Sequence, residues 1–257
     1  MKKNNFLTRI NKTGFFKFIS EIPEALFSIA LILLVLLILY FFEQPKGFIH
    51  DQFPSIMLDI AIFGILIVVF NKLIERKRDI KRWQEEIDDY RHWAAPEATV
   101  RIVGNVKRLR RQGITSLYLD DCFLSEAKLS YIDLHGSSFE GADLRTVQFY
   151  NATLHHSLFC EARMQGAILV GADLKWADFS ETKLQGADMF KATLTKADFR
   201  YAILDNAILR EANLMGARNL KLDQLSRTKT LLGAKLDPEI VTQVREKYPH
   251  LLEEPKA

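Results

Sequence analysis

Two cysteines, Cys122 and Cys160, are all that 257 residues contain. They lie in different parts of the chain, which argues against a disulfide framework and predicts free thiols. Also missing are a Gly-rich phosphate loop, a paired metal-ligand motif and a nucleophile elbow. These gaps argue against nucleotide hydrolysis, metal catalysis and serine-hydrolase chemistry, so the sequence predicts no enzyme and no cofactor. An excess of one charge sign is missing too: 35 Lys and Arg stand against 32 Asp and Glu, a net of +3. The basic residues cluster beside two apolar segments and at Lys107–Arg111, which is a poor signature for nucleic-acid binding.

What the chain does have is divided sharply. Ala25 to Phe42 is an uncharged run of 18 residues dominated by Leu and Ile. As a helix rising 1.5 Å per residue it nearly spans a hydrocarbon core of roughly 30 Å. The residues after it, Glu43-Gln44-Pro45-Lys46, offer no small-x-small cleavage site, so the run is not read as a signal peptide. A second, weaker span over about residues 54–70 includes Asp59. Pro45, Gly47 and Pro54 mark the segment between the runs as a short loop, and together they predict a helical hairpin over residues 23–71. Lys2, Lys3, Arg9, Lys12 and Lys17 precede the hairpin, and Lys72, Arg76, Lys77, Arg78, Lys81 and Arg82 come after it, whereas the loop carries only Lys46. The positive-inside rule then puts both termini on the cytoplasmic side of the cell membrane. Residues 1–22, with Gly14–Ile19 mixing aromatics and Lys, read as a basic interfacial segment. Asp59 is either a wetted residue near the outer interface or an intramembrane functional group.

Residues 72–112 read as a charged stalk helix and then a capping helix that opens at Pro96 and ends at Gly113. Val100, Val103, Val106 and Leu109 are the apolar face expected to cover the open end of the segment C-terminal to it. Lys107, Arg108, Arg110 and Arg111 read as a solvated face near the membrane.

From Ile114 to Leu214 a bulky apolar residue recurs at every fifth position, and none of the series is polar. Two residues before each one there is usually a small residue, such as Ala142, Ala172, Ala177 or Ala197. A period of five fits neither a helix nor a continuous strand. It fits a short extended triplet ending in a turn, with the small and the bulky residue facing inward and polar residues such as Asp143, Asp173 and Asp188 facing outward. Such a unit buries its apolar side only by stacking on copies of itself. Phe139, Phe159, Phe179 and Phe199 are spaced 20 residues apart. Four units per coil place these rings in one inner ladder, with Phe149 on another wall. Twenty-one units then make about five coils, a column about 25 Å tall at the usual strand spacing.

Ala-Asp-Leu at 142–144 and 172–174, Ala-Asp-Phe at 177–179 and 197–199, and Ala-Asn-Leu at 212–214 resemble the motif of the pentapeptide-repeat family. The resemblance covers Ile114–Leu214 and implies a right-handed quadrilateral β-helix over residues 113–216. Leu117 and Cys122 depart from the motif by replacing the small residue. After Leu214 the register slips at Arg218-Asn219-Leu220, and residues 217–257 read as a helical cap, with Asp237-Pro238 as a helix start. Leu222, Leu225, Leu231, Leu232, Ile240 and Val244 are expected to cover the last coil, whose bare edge would invite aggregation.

Two outer features stand apart from the motif. Tyr150, Val170 and Phe190 share one turn position on successive coils, with Ile168 beside them, and predict an apolar stripe ending at Arg210. His135 and His155 stack on another corner with Lys175, while His156, Trp176 and Lys196 stack on the adjacent track. Surface histidines in a repetitive turn account for these, and no metal site is expected. The sequence thus predicts a membrane-anchored scaffold. Its expected partners are membrane lipids, a protein of unspecified identity and a second copy of the chain, and nucleic acid is not expected. Two alternatives remain. One is a DNA-mimicking, topoisomerase-binding protein, which the family resemblance implies and which the repeat's 14 acidic against 9 basic residues fit only mildly. The other is a membrane signalling or transport accessory built around Asp59.

Overall fold

The computed structural model describes the backbone of residues 46–254 and side chains from Ile62 to Glu254. The first predicted span, 24–42, and the basic segment before it lie outside the described residues. Helix α1 runs from Lys46 to Asp89. This corrects the predicted loop, because residues 46–53 are helical and Pro54 lies inside α1. Proline removes one i→i−4 hydrogen bond and crowds the preceding turn, about 3 kcal/mol in a helix interior. The long helix-forming run on its C-terminal side carries α1 through that defect. The boundary between two compact units falls inside α1, between Asp79 and Ile80. Among the described residues no helix is long and apolar enough to cross a membrane.

Within the second unit, Ile87 of α1 is buried, and Ile80, Trp83 and Tyr90 pack against the same apolar core. Helix α2, Pro96–Arg111, comes next, with Pro at its start. Its end is a Schellman motif: the N–H of Ile114 donates to Leu109 O (3.1 Å) and that of Gly113 to Arg110 O (2.9 Å), with Gly113 at φ +81. The buried face of α2 is Ala98, Ile102, Asn105, Val106 and Leu109, and Val100 is 71% exposed. The predicted face that began at Val100 is therefore corrected. Residues strictly three apart fall about 60° behind on each step around a helix of 3.6 residues per turn, so Val100 and Leu109 end on opposite sides.

The repeat forms a column of parallel one-residue bridges. Tyr118 pairs with Ser138, Ser138 with Leu158, Leu158 with Asp178 and Asp178 with Asp198, and the other three walls keep the same 20-residue step. Each coil therefore has four sides. The turns between sides are alike. Cys122 N–H donates to Leu119 O (3.3 Å) and Ala162 N–H to Phe159 O (3.0 Å), each closing a four-residue turn. The third residue of every turn from Asp121 to Gly216 has positive φ: fourteen non-glycine residues and six glycines. A left-handed residue at that position alone defines a type II turn. Thr146, at φ +53, is the β-branched member of the set. Its branched Cβ makes the left-handed region costly. Thr146→Gly is expected to stabilise the column by about 0.5–1 kcal/mol, net of glycine's greater unfolded-state freedom, read as a raised midpoint in thermal unfolding.

The outward Asp and Asn residues fasten these turns. Asp188 Oδ1 accepts the N–H of Phe190 (3.0 Å), Asp198 Oδ1 that of Arg200 (3.0 Å) and Asp178 Oδ1 that of Ser180 (2.8 Å). Asp143 goes further and accepts both Nε and Nη2 of Arg145, at 2.8 and 2.6 Å, while only 2% exposed. Burial would raise its carboxyl, but the hydrogen bonds from Arg145 and the charges of Arg145 and Arg163 hold it below the ordinary carboxylate range. A depressed folded value means that the stabilisation is complete above the unfolded pKa and is lost as pH falls through the folded one. The stability gap between wild type and Asp143→Asn is expected to be about 1.5–3 kcal/mol at neutral pH and to shrink below about pH 4. Urea titrations at several pH values read it directly; a gap independent of pH would contradict the assignment.

Inside the column, Phe139, Phe159, Phe179 and Phe199 stack at centroid distances of 5.0, 5.1 and 5.4 Å. Phe149 meets Phe139 edge-on from the opposite wall (5.9 Å, 76°). Leu117 and Cys122, which depart from the motif, both point inward and are buried. Burial pushes the Cys122 thiol up to about 12, which leaves it inert at neutral pH.

The column does not stop at residue 216. Asp198 pairs with Arg218 at the usual step, and Ile208 pairs with Thr230 and Asn213 with Lys235, so three walls gain a rung from the segment assigned to the helical cap, the last two at a longer step. Those two steps are 22 residues long because helix α3, Leu222–Ser226, replaces one wall of the coil. Leu231 and Leu236 resume inward positions. Gln224 Nε2 donates to Phe199 O and Ala202 O, both at 2.8 Å, closing the exposed carbonyls beneath α3. Helix α4, Pro238–Lys247, and a 3-10 turn over Pro249–Leu252 complete the lid with Val244 and Leu251 buried.

Candidate interaction surfaces

Because turns stack at a fixed step, each corner of the column displays two vertical tracks of side chains. The predicted stripe occupies one such corner. Tyr150 is 38% exposed, while Ile168, Val170 and Phe190 are half-buried. Two cations cover the Phe190 ring: Lys191 Nζ lies 4.8 Å and Arg210 Cζ 5.9 Å from its centroid. Glu211 and Glu254 in turn hold Arg210, at 3.7 and 3.6 Å. The upper end of these positions is thus rimmed by charge. Lys191 stands next to Phe190 in the chain, but its approach to the ring was not legible in the sequence.

The histidine corner is more densely built. The rings of His135 and His155 stack at 4.9 Å, and His156 meets His155 edge-on at 5.6 Å. His156 stacks on Trp176 at 6.0 Å, and Lys196 Nζ lies 4.4 Å above the indole. Asp133 Oδ1 holds His135 Nδ1 at 2.7 Å, and Thr115 Oγ1 reaches Nε2 at 3.2 Å. Burial would raise the Asp133 carboxyl, but hydrogen bonds from His135 and the charge of Arg110, 3.3 Å away, keep it low. Among the described residues no group of three His, Cys, Asp or Glu is arranged to hold a metal ion.

A third corner was missed. Asp120, Glu140, Asp121, Glu161 and Glu181 lie on its two tracks, and all but Asp120 are exposed. Reading the turn positions modulo 20 would have found it. The Phe139–Phe199 ladder is wholly interior and serves packing. The Asp59 side chain lies outside the described residues. Two open clefts, of about 310 Å³ beside Gln84 and Tyr118 and about 260 Å³ between Tyr201 and Arg227, lie towards the two ends of the column.

The family model matches within the column. Residues 114–189 and 132–214 match the family described as a pentapeptide repeat region. No curated protein matches the chain. Among solved structures it is similar to QnrB1, a plasmid-mediated fluoroquinolone resistance protein, at 15% identity over 52% of this chain and 68% of that one, with a TM-score of 0.32. It is also similar to HetL from the cyanobacterium Nostoc, a pentapeptide repeat protein involved in heterocyst differentiation regulation, at 25% identity over 48% and 67%, with a TM-score of 0.21. A third is the pentapeptide repeat protein Rfr23 from the cyanobacterium Cyanothece, at 27% identity over 43% and 65%, with a TM-score of 0.22.

Proposed function

Residues 114–214 are a pentapeptide-repeat region, and from that premise we propose that the protein is a non-enzymatic scaffold tethered to the cytoplasmic membrane by its N-terminal segment. The observation that carries the tether is the described part of α1. Ile62, Phe63, Ile65, Leu66, Val68, Val69, Phe70 and Leu73 are all exposed large apolar side chains on adjoining turns. A helix that is apolar all round needs an apolar solvent or a partner. The uncharged run at 25–42 and the basic residues on both sides of the hairpin complete the reading. Fractionation with protease access from each membrane side tests it. The expected outcome is a protein extracted only by detergent, with the column digested from the cytoplasmic side only. Release by carbonate or high salt would refute the tether. In this reading the Tyr150–Phe190 corner presents the docking surface, and photocrosslinking from Tyr150 in cells is expected to capture a protein or a second copy.

A second reading is favoured by the acidic corner. Exposed carboxylates at a regular step along a column imitate a phosphate ladder. Inhibition of topoisomerase supercoiling by the full chain, lost on neutralising Glu161 and Glu181, would support a DNA mimic over a scaffold.

A further inference from the structure

We propose that the histidine corner is a proton-gated site for phosphate groups. Its ring nitrogens are unequally occupied. Both nitrogens of His135 are engaged, by Asp133 and Thr115. Among the described residues the ring nitrogens of His155 and His156 have no hydrogen-bond partner, although both rings are held by stacking. Two imidazoles are therefore fixed in place with their donor and acceptor atoms unused, one half-buried and one exposed.

The charges around them make protonation decisive. Arg110 from α2 faces Asp133, and Lys175 faces Asp173 at 3.2 Å. Lys196 lies over Trp176, and Asp88 of α1 is occupied by Arg91. The groups of fixed charge on and beside these tracks are thus three cations, Arg110, Lys175 and Lys196, and three carboxylates, Asp133, Asp173 and Asp178, the last bonded to Ser180. With neutral imidazoles the corner is nearly balanced. Each proton taken up adds a full positive charge within one or two rungs of the others. Histidine titrates in the physiological range, and an imidazolium donates from both nitrogens. Acidification therefore converts a nearly neutral stack into a row of donors about 5 Å apart, beside Lys175. A phosphate offers several acceptor oxygens to such a row, and charge-assisted bonds to it are the strong kind. Flat stacking of a nucleobase is ruled out, since His156 and Lys196 already lie against the Trp176 ring.

The site does not depend on the membrane tether, and the source of the phosphate separates the two. The full chain in neutral detergent micelles is titrated with inorganic phosphate at about pH 5.5 and about pH 8, while the histidine ring signals are tracked by NMR. Binding is expected to be about tenfold tighter at the lower pH, with the His155 and His156 signals moving together. The double variant His155→Gln with His156→Gln should abolish that difference, and because both positions are outward turn residues the circular dichroism spectrum should be unchanged. Lys175→Gln serves as a second variant that weakens binding at both pH values and keeps the gate. A parallel titration uses micelles doped with phosphatidylglycerol or with phosphatidylcholine. A saturable response to phosphatidylglycerol alone supports a lipid headgroup as the source, and a response to inorganic phosphate alone supports a soluble one. Equal affinity at both pH values, retention of the pH dependence in the double variant, or no response to either probe would overturn the proposal.

Discussion

Phe159→Ala is expected to destabilise the protein by about 3–5 kcal/mol, the largest single effect of any side-chain truncation in the column. Its ring lies between Phe139 and Phe179 at 5.0 and 5.1 Å and is fully buried. Truncation removes transfer free energy and two stacking contacts, each worth about 0.5–1.5 kcal/mol. The void cannot collapse, because the coils above and below are pinned by backbone bonds such as Phe159 N–H to Asp178 O at 2.7 Å. Denaturant unfolding of wild type and variant measures the difference. A cost under about 1 kcal/mol would mean that the interior repacks and the ladder contributes little. Phe199→Ala should cost less, since Phe179 is its one neighbour in the ladder.

The second large effect is expected at the N-terminal cap. Ile102 of α2 is fully buried over the first coil. Ile102→Asp forces a carboxylate into that interface, and undocking of α2 is the cheaper response at about 3 kcal/mol or more. Undocking also frees carbonyls of the first coil, among them that of Phe123, which now accepts Thr99 Oγ1 at 2.9 Å. A bare ladder edge templates pairing with other chains. The variant is therefore expected to run as large aggregates in size exclusion. Val100→Asp on the same helix, where the side chain is 71% exposed, should change stability by no more than about 0.5 kcal/mol. Equal behaviour of the two variants would refute the assignment of the buried face.

That contrast marks where sequence reasoning reached and where it failed. The step of 20 residues was legible because the phenylalanines repeat at it, and the bulky inward position is apolar in every unit. The capping helix was legible from Pro96 and Gly113. Its buried face was not, because valines three apart imitate an amphipathic stripe over a single turn and only longer runs reveal the drift. The continuity of α1 through Pro54 was hidden for a related reason: proline and glycine signal a break locally, while the helix is decided by the longer run beyond them. The extra rungs at Thr230 and Lys235 were obscured when α3 displaced one wall and changed the step to 22. The outward Asp residues were read as polarity alone. Their bonds to the turn N–H groups arise from the type II turn, which the sequence does not display because fourteen of its left-handed positions are not glycine. On the surface, both the stripe and the histidine corner were visible as tracks. The covering of Phe190 by Lys191 and Arg210 needed side-chain geometry.

One feature of the coil bears on how such a chain changes over time. Each lid touches only the coil next to it, and every interior coil presents the same four walls at the same step. A duplication or loss of one whole coil's coding sequence would leave both lids seated and every wall in register. The column's length is thus a heritable variable that can be lengthened or trimmed like a ruler, and the spacing between its two ends is set by the number of copies.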